Sequence, residues 1–223
     1  MCGRYTLTAD ATQIAERFQA RFPQADAWQP RYNAAPSQHL PVVRWQEERL
    51  IDLLRWGLIP SWADDPRIGN RLINARAETI FSKPSFRAAA RRRRCLVPAD
   101  GFYEWKKTPE GKQPYRIALK DGGLFAFAGL WERWHDPQTG EPLDTFTILT
   151  TQPNDLVATL HNRMPLILHP EHEAAWLDPA TPEDELRLIL TTIYPADRMT
   201  AYPVSRRVNN PRYDDPTLIQ PLT

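Results

Sequence analysis

Residues 95–131 read CLVPADGFYEWKKTPEGKQPYRIALKDGGLFAFAGLW, and this stretch decides the fold. It divides into short runs at 95–98, 102–106, 115–119 and 124–131, rich in aromatic and aliphatic residues that suit a half-buried pleated surface. Turn formers separate most of them, most clearly Thr108-Pro109-Glu110-Gly111 and Asp121-Gly122-Gly123. Proline presets the backbone for a turn, and glycine accepts the left-handed conformation that a tight turn needs. Strands joined this closely pair antiparallel, whereas parallel neighbours require a crossover of a dozen residues or more, usually helical.

Working outward, 40–45 and 50–56 read as a hairpin around the polar Gln46-Glu47-Glu48, and 145–150 as a further strand. Residues 8–22 read as a helix, because Ile14, Phe18 and Phe22 fall at i, i+4 and i+8 on one stripe. A short helix is expected over 84–94 with Ser85 as its cap, and another over 154–160. Thr181-Pro182-Glu183-Asp184 opens a further one, with Thr at the cap and Pro in the first turn. Residues 29–38, punctuated by Pro30, Asn33 and Pro36, read as a loop. The expected fold is α+β: a single domain over 1–223 with a curled, largely antiparallel, barrel-like β core flanked by short helices.

A chain of 223 residues, 42% of them hydrophobic, can bury one sizeable core. No apolar run approaches the roughly 20 residues that cross a bilayer. The start, Met-Cys-Gly-Arg-Tyr, lacks the layout of a secretory signal, so a cytoplasmic monomer without a membrane partner is the expectation. Cys2 and Cys95 are too few for a disulfide framework or a thiolate zinc site. His169 and His172 flank Pro170, which reads as a helix start, and no metal or cofactor is expected. Glycine-rich phosphate loops, G-x-S-x-G and H-E-x-x-H are absent from the sequence. The basic residues are 23 Arg and only 5 Lys, an excess that fits either phosphate recognition or a GC-rich genome.

Several residues carry chemistry. Removal of Met1 would leave Cys2 with a free α-amine and a thiol on one carbon skeleton. The amine, with an intrinsic pKa near ~8, condenses with aldehydes. The thiol then closes a five-membered thiazolidine, which only an N-terminal cysteine can do. Gly3 permits close approach of the backbone, and Arg4 could grip a phosphate; an ordinary flexible terminus is the plainer reading. Glu104, set among Phe102, Tyr103 and Trp105, is a candidate for desolvation and proton transfer, against the plainer reading of a solvated edge residue. His161 precedes the Pro165 that ends a helical stretch, and is either a proton carrier or a capping histidine. Strand spacing would put Asn74, Arg76 and Glu78 on one polar face. Trp56 reads as core, while Trp62 is either core or a stacking platform. The run Arg91 to Arg94 is either a DNA-contacting patch or a solvated helix end, and Cys95 reads as a buried structural thiol.

Together these segments resemble the SRAP (SOS response-associated peptidase) family. The matching residues are Met1 to Tyr5, Tyr32 to Pro36, Trp56 to Pro60, Asn74 to Thr79, Cys95 to Trp105, His161 to Pro165 and Val208 to Asn210. They run in order over nearly the whole chain. The resemblance implies an α+β domain around a barrel-like core that binds single-stranded DNA containing abasic sites and captures the opened sugar as a thiazolidine on Cys2. It further implies that Asn74 positions Cys2, that Glu104 helps open the sugar, and that His161 is the second acid/base. Arg4 and Arg76 would be phosphate ligands, with Trp62 and Pro36 as further DNA contacts. Two other classes stay open from the residues themselves: an N-terminal-nucleophile cysteine peptidase or amide hydrolase, and a non-catalytic single-stranded DNA-binding module.

Overall fold

The computed structural model describes residues 2–222, so that Met1 and the expectation of its removal lie outside the described residues. The strands are β1 (Tyr5–Leu7), β2 (Arg31–Ala34), β3 (His39–Gln46), β4 (Glu48–Trp56), β5 (Asn74–Arg76) and β6 (Arg94–Ala99). They continue with β7 (Gly101–Thr108), β8 (Gly111–Leu119), β9 (Phe125–His135), β10 (Pro142–Thr151), β11 (Met164–Pro165) and β12 (Met199–Pro203). The α-helices are α1 (Ala11–Phe18), α2 (Arg87–Arg92), α3 (Asp155–Ala158), α4 (Pro170–Leu177) and α5 (Glu183–Thr191).

Five strands close into a barrel. β10 pairs with β4, β4 with β3, β3 with β6, β6 with β9, and β9 returns to β10. Closure leaves no open sheet edge among these five. Every pairing in the ring is antiparallel except β4–β10, where Thr145 lies opposite Arg55. The interior is tight: a Cβ on Gly129 would stand 2.9 Å from both Cys95 Sγ and Val97 Cγ2, so only glycine fits there. β5 and β11 extend the sheet from β10, the first parallel and the second antiparallel to it.

The second sheet, ordered β12-β8-β7-β1-β2, is antiparallel throughout. Its short strand β1 locks it to the barrel. The fully buried Tyr5 ring meets Trp56 at 5.2 Å and Phe127 at 5.9 Å, both edge-on, and Trp56 stacks on Phe146 at 6.2 Å. Aromatic packing of this geometry adds to the large apolar area buried.

The expected class and the expected hairpins are present, and the long strand runs lie where the residues place them. Some boundaries differ for local reasons. α1 covers Ala11–Phe18 rather than 8–22, because Asp10 and Gln13 form a capping box and Gln19 turns left-handed at φ +49°. Phe22 still packs in the core, beyond the helix. The expected loop at 29–38 contains β2, which exists by pairing with β1 and by the Asp214 carboxylate accepting from the N–H groups of Tyr32 and Asn33. Phe86, not Ser85, occupies the cap of α2. Pro182 caps α5, and the Thr181 hydroxyl donates instead to the Ala175 carbonyl. β5 ends at Arg76 and the chain turns into a 3-10 helix at Ala77–Thr79, so Glu78 leaves the strand face expected for it.

Candidate active site

β1 and β7 place the chain terminus. Tyr5 pairs with Phe102, and the Tyr103 N–H donates to the Arg4 carbonyl at 3.0 Å. Continued back along the chain, that register runs residue 3 toward Glu104 and residue 2 toward Trp105. Cys2 is fully buried, and its thiol lies 3.6 Å from the Arg4 carbonyl oxygen. Burial, reinforced by the charge of Glu104, pushes the thiol far above its ordinary pKa. The thiol and the carboxylate are therefore electrostatic neighbours.

Glu104 is only 2% exposed. Burial raises its carboxyl from 4.5 to about 7. A cleft of about 410 Å³ opens beside it, lined by Glu104, Trp105, Lys107, Lys112, His161 and Asn209. His161 is half-buried, and burial holds it below its ordinary value of 6.5. Its Nδ1 accepts from the Arg163 N–H at 3.1 Å and lies 3.2 Å from the Arg163 carbonyl oxygen. The backbone of Arg163 thus offers a partner to the neutral ring, which accepts, and to the protonated ring, which donates. Near neutral pH the cleft holds a neutral histidine and a carboxyl close to half protonation. Opposed shifts on neighbouring groups are the arrangement that divides acid and base roles.

Arg163 is itself fixed. Nη1 and Nη2 donate to the two Glu78 oxygens at 2.6 and 2.9 Å, and Nη2 also reaches the Thr150 carbonyl at 2.6 Å. Glu78, pulled off the β5 face, is therefore an anchor for the 161–163 loop. The same β10 segment holds β5, with Thr150 opposite Arg76 and Ile148 opposite Asn74. Asn74 donates to the Ile73 carbonyl, and its side-chain oxygen is buried without a hydrogen-bond partner among the described residues, an acceptor with capacity for a donor.

Arg4 lies on the other side of the terminus. Its Nη1 donates to Asn33 Oδ1 at 3.0 Å and the Val208 carbonyl at 2.7 Å, and its Nη2 to the Asn209 carbonyl at 3.3 Å. Asn33 in turn donates to the carbonyls of Val208, Asn210 and Tyr213. The visible work of Arg4 is to tie β1 to the 208–213 segment. Arg76 is exposed at the end of β5, Trp62 is 59% exposed on a turn, and Pro36 is half-buried in the turn before β3. None of these three lines the cleft.

The four-arginine run splits. Arg91 and Arg92 are exposed and Arg93 pairs with Glu132 at 2.6 Å. Arg94 is buried, donating to the carbonyls of Trp176, Ala90, Arg91 and Asp178. It braces α2 against α4 and is unavailable to DNA. Cys95 is fully buried, as a structural thiol should be, and no group of three or more metal-ligating side chains exists among the described residues. Sequence reasoning gave no role to Asn209, which accepts from Trp105 Nε1 at 2.7 Å and so fixes the indole on the cleft wall. It also gave none to Lys107 and Lys112. The signal was present: three of the five lysines fall within 106–112.

Comparison with known proteins follows the whole chain. A sequence model of the family described as SOS response associated peptidase (SRAP) matches residues 1–211. Abasic site processing protein YoqW of Bacillus subtilis is 48% identical, with 99% of each chain covered. Abasic site processing protein HMCES of Gallus gallus is 32% identical, covering all of this chain and 78% of its own. A crystal structure of a protein from Bacteroides thetaiotaomicron superposes with a TM-score of 0.91 at 32% identity, covering 100% of both chains.

Proposed function

The chain belongs to the SRAP family, and from that premise we propose that it processes abasic sites in single-stranded DNA by capturing them covalently on Cys2. The observation that carries this reading is the buried Cys2 thiol held as an electrostatic neighbour of Glu104, a carboxyl raised to about 7 on a cleft shared with His161.

The chemistry runs as follows once Met1 is gone. The abasic sugar is mostly a closed hemiacetal. Glu104 donates its proton to the ring oxygen while His161 takes the proton of the C1′ hydroxyl. The C1′–O4′ bond breaks and the aldehyde forms. The neutral amine of Cys2 adds to C1′, the resulting hydroxyl leaves as water with the proton that His161 took up, and Glu104 recovers its proton from the nitrogen as the imine forms. The thiol adds to the imine carbon, and its proton ends on nitrogen. One water is lost overall and nothing is oxidised or reduced. The partnerless oxygen of Asn74 supports a role for that residue in orienting the amine. Arg4 and Arg76, with Trp62 and Pro36, would hold the strand, and the adduct would shield the lesion from cleavage.

A thiolate attacking an amide would need a depressed thiol pKa. The burial of Cys2 acts in the opposite direction, which favours capture over the amide-hydrolase reading. Addition to an imine places a smaller demand on the sulfur, because the proton stays within the new ring.

Intact mass after mixing the Met1-processed protein with a single-stranded oligonucleotide bearing one abasic site tests the proposal. The expected species is protein plus oligonucleotide minus one water, missing with Cys2→Ala. No adduct from fully processed protein overturns it.

A further inference from the structure

We propose that Lys107 and Lys112 form a subsite for a backbone phosphate next to the reacting sugar. The inference rests on the capture reading for the identity of the strand, and on separate observations for the subsite. Both lysines line the cleft that holds Glu104 and His161. They are directly opposite one another across the β7–β8 hairpin, and so share a face of the sheet. Like charges in that position destabilise a hairpin. Both are exposed, and neither belongs to an ion pair or side-chain hydrogen bond with another group among the described residues. Many of the chain's arginines, by contrast, are committed to carboxylates or carbonyls.

The choice of lysine is informative. In a chain with 23 Arg and 5 Lys, three lysines are gathered at 106–112. A guanidinium suits a fixed bidentate geometry, whereas an ammonium on a flexible stem follows a phosphate that moves. The phosphates beside an abasic sugar must move, because opening the ring lengthens and loosens the link between them. Trp105, pinned by Asn209, is an aromatic wall beside the pair. The positive pair also offsets the negative charge of ionised Glu104, which would repel the strand.

Affinity of the processed protein for a short labelled single strand containing a tetrahydrofuran abasic analogue, which cannot open to an aldehyde, isolates the subsite from the chemistry. Each phosphate contact on a single strand contributes about 0.7 to the slope of log affinity against log salt. From about 50 to 200 mM salt, wild type should therefore lose roughly 2.6-fold more affinity than K107A/K112A. K107R/K112R should restore the wild-type slope. Equal slopes for wild type and the alanine variant overturn the subsite, even where the abasic strand is still captured. A changed slope with no adduct from the natural abasic strand keeps the subsite and removes the capture reading instead.

Discussion

Replacing Glu104 with Gln separates what this carboxyl does for chemistry from what it costs the fold. The group is 2% exposed, and burial raises it from 4.5 to about 7. The proposed capture needs Glu104 protonated and the Cys2 amine, with a pKa near ~8, neutral. With the carboxyl at about 7, the product of those fractions peaks close to pH ~7.5 at roughly 6%. At an ordinary 4.5 it would be roughly 200-fold smaller at the same pH. Gln cannot donate that proton, so capture should slow by about 10² or more, with abasic-strand affinity retained.

Stability should move the other way. The folded state keeps the Glu104 proton to higher pH than the unfolded chain does. The stability linked to it is full below the unfolded value and falls as pH rises through about 7. Between pH ~5 and ~8 the loss is on the order of a few kcal/mol. Urea unfolding of wild type and Glu104→Gln at those two pH values reads the difference directly. The variant should lack this part of the pH dependence, and so gain on wild type at the alkaline end. Parallel pH profiles for the two proteins would show that Glu104 is not desolvated as described, and equal capture rates would remove it from the mechanism.

On the proposed mechanism His161→Ala should slow capture by about 10², by removing a positioned proton carrier. Affinity for the uncapturable strand should hold, and a matching loss of affinity would mark His161 as a binding residue instead. Gly129→Ala forces a methyl to 2.9 Å from Cys95 Sγ and Val97 Cγ2 inside the closed barrel. Overpacking of this kind costs about 1–3 kcal/mol, so the denaturation midpoint should fall, and an unchanged midpoint would mean that the barrel is looser there than the packing indicates.

The strands were legible because local pattern carries them. Alternation and turn formers mark β3, β4 and β6 to β10, and the aromatics around Glu104 made its desolvation one of two open readings, of which the 2% exposure selects the buried one. The parallel β4–β10 pairing that closes the barrel was not legible, because it joins residues about ninety positions apart with no local signature. β2 was missed for a similar reason: its residues favour a loop until Asp214, far along the chain, satisfies their N–H groups. Arg94 looked like part of a charge run, and only tertiary structure shows the four carbonyls that receive it. The tether from Arg4 through Asn33 to Val208 likewise spans the whole chain. What escaped were long-range satisfactions of polar groups, which leave no periodicity to read.

The anchoring of Tyr5 between Trp56 and Phe127 makes the first residues a ruler. With the ring fixed in the core, the position of Cys2 is set by counting back three residues from β1. Along a chain that continued the line of β1, removing or inserting a single residue between them would displace the thiol by about 3.4 Å and turn it to the opposite face. Removing or inserting two would restore the face and leave the reach wrong. Under the proposed capture, reactivity is therefore a property of spacing as much as of chemistry, and a cysteine moved one place along the terminus would keep every functional group and lose its partner.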